Sequence, residues 1–101
     1  MNQLKVSSTS DPGAVAGAIA NGIRQQGETE IQVIGPRAVN QAVKAVAIAR
    51  AYVAASGVDL YFTPGFASVE IDAQERTALQ FAIRARHPLA KAAEEPAQPT
   101  H

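Results

Sequence analysis

Three consecutive hydroxyls, Ser8, Thr9 and Ser10, stand just ahead of Asp11-Pro12, where an apolar-periodic stretch begins. Further on, Gly35-Pro36-Arg37 leads into a second such stretch, with Asn40, Gln41 and Lys44 following at helical spacing. Hydroxyls, amides, a guanidinium and an ammonium beside helix starts are groups that hold phosphate. The free backbone N–H groups at a helix N-terminus already favour an anion, and such side chains add donors. The same residue types are also good caps and turn formers, so a purely structural role stands beside the phosphate-binding one.

Other chemistries find little support. The 101 residues contain no cysteine, which excludes disulfides, thiolate metal sites and Cys nucleophiles. The two histidines, His87 and His101, lie in the C-terminal stretch, so neither a His metal site nor a Ser-His-Asp triad is expected within the domain. Gly35-Pro36-Arg37 is not a P-loop, and no G-x-G-x-x-G occurs. Asp72 and Glu75 are close in sequence but read as a solvated turn. No enzyme, metal or cofactor is expected.

Nine Lys+Arg balance nine Asp+Glu, which argues against a strongly basic DNA-coating protein. The balance is uneven along the chain. From Ile31 to Val58 there is no acid, whereas Arg37, Lys44 and Arg50 fall within it. The longest apolar run, Ala45 to Ala49, is far too short to span a membrane, and Met1 to Ser8 lack a signal pattern. A cytoplasmic location is expected.

The elements that must position these groups are legible from periodicity. Leu4 to Ser7 alternates as a short strand. A helix follows from about Pro12 to Gln26, with Ser10 or Asp11 as its cap, an apolar stripe of Val15, Ile19 and Ile23, and Gly27 as its stop. Ile31 to Ile34 forms a second strand. A second helix runs from about Arg37 to Ala55, with Gly57 as stop. Val58, Leu60 and Phe62 alternate with Asp59, Tyr61 and Thr63 in a third strand, which Pro64-Gly65 should bend or bulge before Val69 and Ile71 resume the alternation. Asp72 to Thr77 reads as the hairpin turn. Leu79, Phe81 and Ile83 then face inward on a last strand ending near Arg86.

The order is β-α-β-α-β-β, an α/β (α+β) two-layer sandwich with both helices on one face of a four-stranded mixed sheet. Lys5, Gln32, Asp59, Tyr61, Glu70, Gln80, Arg84 and Arg86 are expected on the other, polar face. Residues 1–86 form the domain. Residues 87–101, rich in Ala, Glu and Pro, read as a flexible tail, with a short helix at Leu89 to Glu95 as the alternative.

The second helix has more apolar circumference than a two-layer monomer needs. Val39, Val43, Val46 and Val53 share one stripe, and Ala38, Ala42, Ala45 and Ala49 a second beside it. Ile48 and Tyr52 extend the apolar surface. They either pack within the subunit or meet a second copy. Arg50 either snorkels to the helix end or pairs, buried, with Asp59 or another carboxylate. Gly13, Gly17 and Gly22 suggest close contact between the helices, or backbone approach to a ligand at Gly13.

The segment IQVIGPRAVNQAVKAVAIAR, Ile31 to Arg50, closely resembles the stage V sporulation protein S family, as do LKVSS, VAGAIA, SGVDL, VEID and ERTAL. The resemblance covers about Leu4 to Arg86. It implies a small, cytoplasmic, non-enzymatic regulator grouped with Alba-like proteins, which are β-α-β-α-β-β nucleic-acid binders and often dimers. Such proteins contact nucleic acid through a lysine pair after the first strand, an R-G-R-A-I-like turn and a long basic hairpin arm. Here Ser8, Thr9 and Ser10 take the first place, and Gly35, Pro36, Arg37, Ala38 and Val39 match the second with a single Arg. Asp72, Ala73, Gln74, Glu75, Arg76 and Thr77 give a short, acidic turn in the third. The resemblance, the element order and the acid-free stretch together lead to an expectation of DNA or RNA binding through Ser8, Thr9, Ser10, Arg37, Asn40, Gln41, Lys44 and Arg76, modest and salt-sensitive because the cations are few. The apolar excess of the second helix adds the expectation of a homo-oligomer, most simply a dimer, meeting through Ile48 and Tyr52. The competing expectation is an oligomeric protein–protein adaptor, and a third is a sensor of small anions using the same rim.

Overall fold

A computed structural model describes residues 3–86. The reading of 87–101 as a tail lies outside the described residues. The elements are β1 (Gln3–Val6), α1 (Pro12–Gln26), β2 (Glu28–Val33), α2 (Pro36–Ala54), β3 (Asp59–Ile71) and β4 (Gln74–Arg86). They form one four-stranded sheet in the order β1-β2-β4-β3. β1 and β2 are parallel, and the other pairs are antiparallel. The expected order and mixed sheet are found.

Local chemistry sets the helix ends. The Asp11 carboxylate accepts from the Ala14 N–H at 3.0 Å and so caps α1. Gly27, at φ 81°, closes α1 by donating to the Ile23 carbonyl at 2.8 Å. α2 starts one residue earlier than expected, at Pro36, whose missing N–H costs nothing at a first helical position. Its cap, Gly35, sits at φ 93° and supplies no side-chain bond.

The core lies between the helices and the sheet. Ile19, Ile31, Val33, Val53 and Ile83 are almost fully buried. Ala38, Ala42, Ala45 and Ala49 form the innermost line of α2 and are likewise buried with Ala16 and Ala20 of α1, so the small residues serve close packing inside one subunit. The Val stripe is split: Val46 and Val53 are buried, but Val43 is 42% exposed. At α1, Gly22 is buried, while a Cβ at Gly17 would meet nothing within 4 Å, so helix contact does not account for Gly17.

Three sequence expectations change. First, β2 begins at Glu28, not Ile31, which places Thr29 in the core at 0% exposure with its hydroxyl unpartnered among the described residues. Second, the Arg50 partner is Asp59, with Nε donating to Oδ1 at 2.8 Å, but the guanidinium is exposed rather than buried. Third, no bulge occurs at Pro64-Gly65. The β3–β4 register runs unbroken from Asp59↔Arg86 to Ile71↔Gln74. β3 is the edge strand, where proline is tolerated.

That register has two consequences. Pairing with β2 covers β4 only from Leu79 to Arg84, so the rest of the hairpin extends past the sheet as a long two-stranded arm. The short turn expected from Asp72 to Thr77 shrinks to Asp72-Ala73, both at positive φ (52° and 62°). Because a one-residue bulge would have reversed the faces, its absence places Val69 and Ile71 on the face of Tyr61 and Gln80. Glu70 goes to the opposite face.

Candidate nucleic-acid interface

The first strand–helix connection is a self-bonded turn. The Ser7 N–H donates to the Ser10 hydroxyl at 2.9 Å, the Thr9 N–H to the Ser7 hydroxyl at 3.3 Å, and the Ser7 and Thr9 hydroxyls lie 3.1 Å apart. Ser10 and Thr9 are thus committed to shaping the loop, whereas Ser8 has no side-chain hydrogen bond among the described residues. The α1 N-terminus is not open to an anion either, because Asp11 already places a carboxylate on it.

The α2 N-terminus differs. No side-chain hydrogen bond caps it, Arg37 is exposed on its first turn, and that turn itself holds no acid. It opens on a cleft of about 580 Å³ lined by Ser7 and Ser8 of the loop, Gly35 to Ala38, Lys5 and Val6 of β1, Gln32 and Ile34, and Val69, Glu70 and Ile71 of the arm. Among the described residues Lys5 and Arg37 form no ion pair.

The sequence-derived residues distribute unevenly around it. Ser8 and Arg37 meet at the cleft. Gln41, one turn beyond Arg37, donates its amide to the Ser10 carbonyl at 2.9 Å and so fastens α2 to the loop. Asn40 and Lys44 are exposed on α2 beyond the cleft wall. Arg76 lies on the arm opposite Val69. Lys5, Gln32, Ile34, Val69 and Ile71 were absent from the sequence-derived site. Alternation placed Lys5 and Gln32 on the solvent face, but only the unbroken hairpin register brings the arm over them.

At the other end of the sheet, Asp59 gathers Arg50 and Arg86, the latter donating to Oδ2 at 3.4 Å. The hydrogen bond from Arg50, with further help from the Leu60 N–H and Arg86, holds the Asp59 carboxyl below its ordinary pKa against a smaller opposing effect of burial. Arg86 also lies 5.8 Å from the Tyr61 ring centre. Ile48 packs half-buried against the core, and Tyr52 is 44% exposed, so only the outer part of that edge is free.

Residues 2–86 match the family profile described as stage V sporulation protein S. The chain belongs to the stage V sporulation protein S family. Family membership and fold together support a regulatory protein of that kind. Among solved structures it is similar to Alba from Thermoplasma volcanium, with a TM-score of 0.55 and 11% identity over 85% of this chain and 100% of that one. At that identity the likeness establishes the fold, which is Alba-like. No helix of the described residues is long and apolar enough to cross a membrane.

Proposed function

We propose that this stage V sporulation protein S family member is a non-enzymatic, cytoplasmic nucleic-acid-binding regulator that holds phosphates at the start of α2. The reading is carried by one observation: the uncapped α2 N-terminus, with Arg37 on it, opens into a cleft that also receives Ser8 and Lys5. Free N–H groups, a guanidinium, an ammonium and a hydroxyl converge at a cleft where neither Lys5 nor Arg37 forms an ion pair among the described residues, Glu70 being the acid in its lining. Asn40 and Lys44 extend the rim along α2, and Arg76 stands on the arm opposite Val69, which lines the cleft. Thr9, Ser10 and Gln41 belong to the rim as its scaffold, holding the loop that presents Ser8 to the phosphate. With so few cations, affinity is modest and falls with salt. Binding of labelled single- and double-stranded DNA and RNA at low salt tests this. Complexes should form and should be lost on Arg37→Ala with Lys44→Ala; unchanged binding in that double variant contradicts the proposal.

The second reading, a homo-oligomeric adaptor without nucleic acid, draws on the exposed apolar side chains Val43 and Tyr52 on α2. A dimer meeting through Ile48 and Tyr52 is compatible with either reading. Light scattering on wild type and Tyr52→Glu tests it: a dimer that dissociates in the variant supports the interface, and a strict monomer removes it.

A further inference from the structure

Among the described residues no element covers the sheet face away from the helices, and that face leads without a break into the cleft. Lys5 and Gln32, which line the cleft, are also register partners on that face, and the row continues through Gln80 to Gly65. Four residues further along β4, Arg84 stands opposite Tyr61, a residue 41% exposed whose ring has the Arg86 guanidinium 5.8 Å from its centre. An aromatic ring braced by a cation, a pair of side-chain amides and a cleft lined by Lys5, Arg37 and Glu70, none of them in an ion pair among the described residues, thus follow one another along one surface.

Gly65 supplies an independent observation. Glycine weakens a strand interior, and its usual reasons there are a bulge, a positive φ or a close approach. The register has no bulge, and Gly65 is not among the positive-φ residues. A Cβ at Gly65 would meet only the Gln80 carbonyl oxygen, at 4.0 Å, so the protein's own packing does not require glycine. What remains is the flat opening that glycine leaves on the outer face, between the Tyr61 platform and the cleft.

We propose that this face carries a single strand of nucleic acid, one base stacked on Tyr61, the chain crossing the floor at Gly65 beside Gln32 and Gln80, and its phosphates reaching Lys5 and Arg37 in the cleft. The occupant follows from the chemistry. The cations sit at the two ends of the path, where a backbone passes. Of the acids, Glu28 is answered by Arg84 at 3.5 Å and Asp59 by Arg50 and Arg86, while Glu30 on this face and Glu70 at the cleft form no ion pair among the described residues and limit the affinity. Side-chain amides offer both donors and acceptors to exposed base edges. Apolar Ile34, Val69 and Ile71 at the cleft accept a base face. A duplex keeps its base faces stacked inside and gains nothing from Tyr61 or these walls. The inference rests on the nucleic-acid reading above and narrows it to single strands.

The chain has only two tyrosines, so a Tyr52→Phe protein reports on Tyr61 alone. Titrating it with dodecamers of U and of dT should quench tyrosine emission, with duplex of the same length leaving it unaltered. Tyr61→Ala should weaken single-strand binding by about 5- to 150-fold, the loss of one stacked base, while Tyr61→Phe keeps it. Gly65→Val, which suits a strand better and should not lower stability, should weaken binding at least about fivefold. If Arg37→Ala weakens binding but Tyr61→Ala and Gly65→Val do not, the face is overturned and the rim stands. If no nucleic acid binds, both fall.

Discussion

The side-chain amide of Gln41 donates to the backbone carbonyl of Ser10 at 2.9 Å, across a separation of 31 residues. This bond ties the first turns of α2 to the β1–α1 loop, in addition to the buried packing of α2 on α1, and so helps hold Arg37 beside Ser8 at the cleft. Gln41→Ala is therefore expected to lower stability by about 1 kcal/mol. Urea denaturation measures the loss. Gln41→Glu, which cannot donate from a charged carboxylate to that carbonyl, should lose at least as much.

Thr29 should be improvable. Its hydroxyl is fully buried and unpartnered among the described residues, in a wall of Ile31 and Val33. An unsatisfied buried hydroxyl costs about 1–3 kcal/mol, and valine has the same shape without it. Thr29→Val is expected to raise the denaturation midpoint with an unchanged urea slope. A lower midpoint would mean the hydroxyl is satisfied.

The turn at the arm's tip carries a similar cost. Ala73 sits at φ 62°, where a Cβ is penalised by roughly 1–2 kcal/mol. Ala73→Gly is expected to stabilise the hairpin by up to about 1 kcal/mol, because glycine's greater freedom in the unfolded chain offsets part of the relief. Thermal unfolding checks the sign.

The Asp59 cluster links stability to pH. Its carboxyl is held below the ordinary value of about 3.9, first by Arg50. The stabilisation is thus fully present above that unfolded value and is lost as pH falls through the lower folded one. Asp59→Asn should cost under about 1 kcal/mol at pH 7, since Arg50 is 57% exposed. That difference should shrink toward zero in strong acid. A gap between the two proteins that is constant down to pH 2 would contradict the linkage.

Most of the architecture was legible because hydrophobic period reports which side of an element is covered. Val15, Ile19 and Ile23 mark α1 in this way, and Leu60 and Phe81 mark the inner sheet face. Arg37 and Ser8 were legible because both flank helix starts. The arm was not. Pro64-Gly65 is a local signal for a bulge, but edge position made that signal irrelevant, and edge position depends on the global strand order. Losing the bulge reversed the faces of Val69 and Glu70 and hid the contribution of Lys5 and Gln32 to the cleft. The commitments of Ser10 and Gln41 were equally hidden, because their bond joins segments far apart in sequence.

The salt dependence of nucleic-acid binding tests the central claim most directly. For a single-stranded oligonucleotide, each phosphate neutralised contributes about −0.7 to the slope of log K against log salt. Wild type, engaging three or four phosphates through Arg37, Lys44, Lys5 and Arg76, should therefore show a slope of roughly −2 to −3. Arg37→Ala should bind more weakly with every sequence tested and make the slope less negative by about 0.7–1. A wild-type affinity indifferent to salt, or a slope identical in Arg37→Ala, would contradict a phosphate rim at the start of α2.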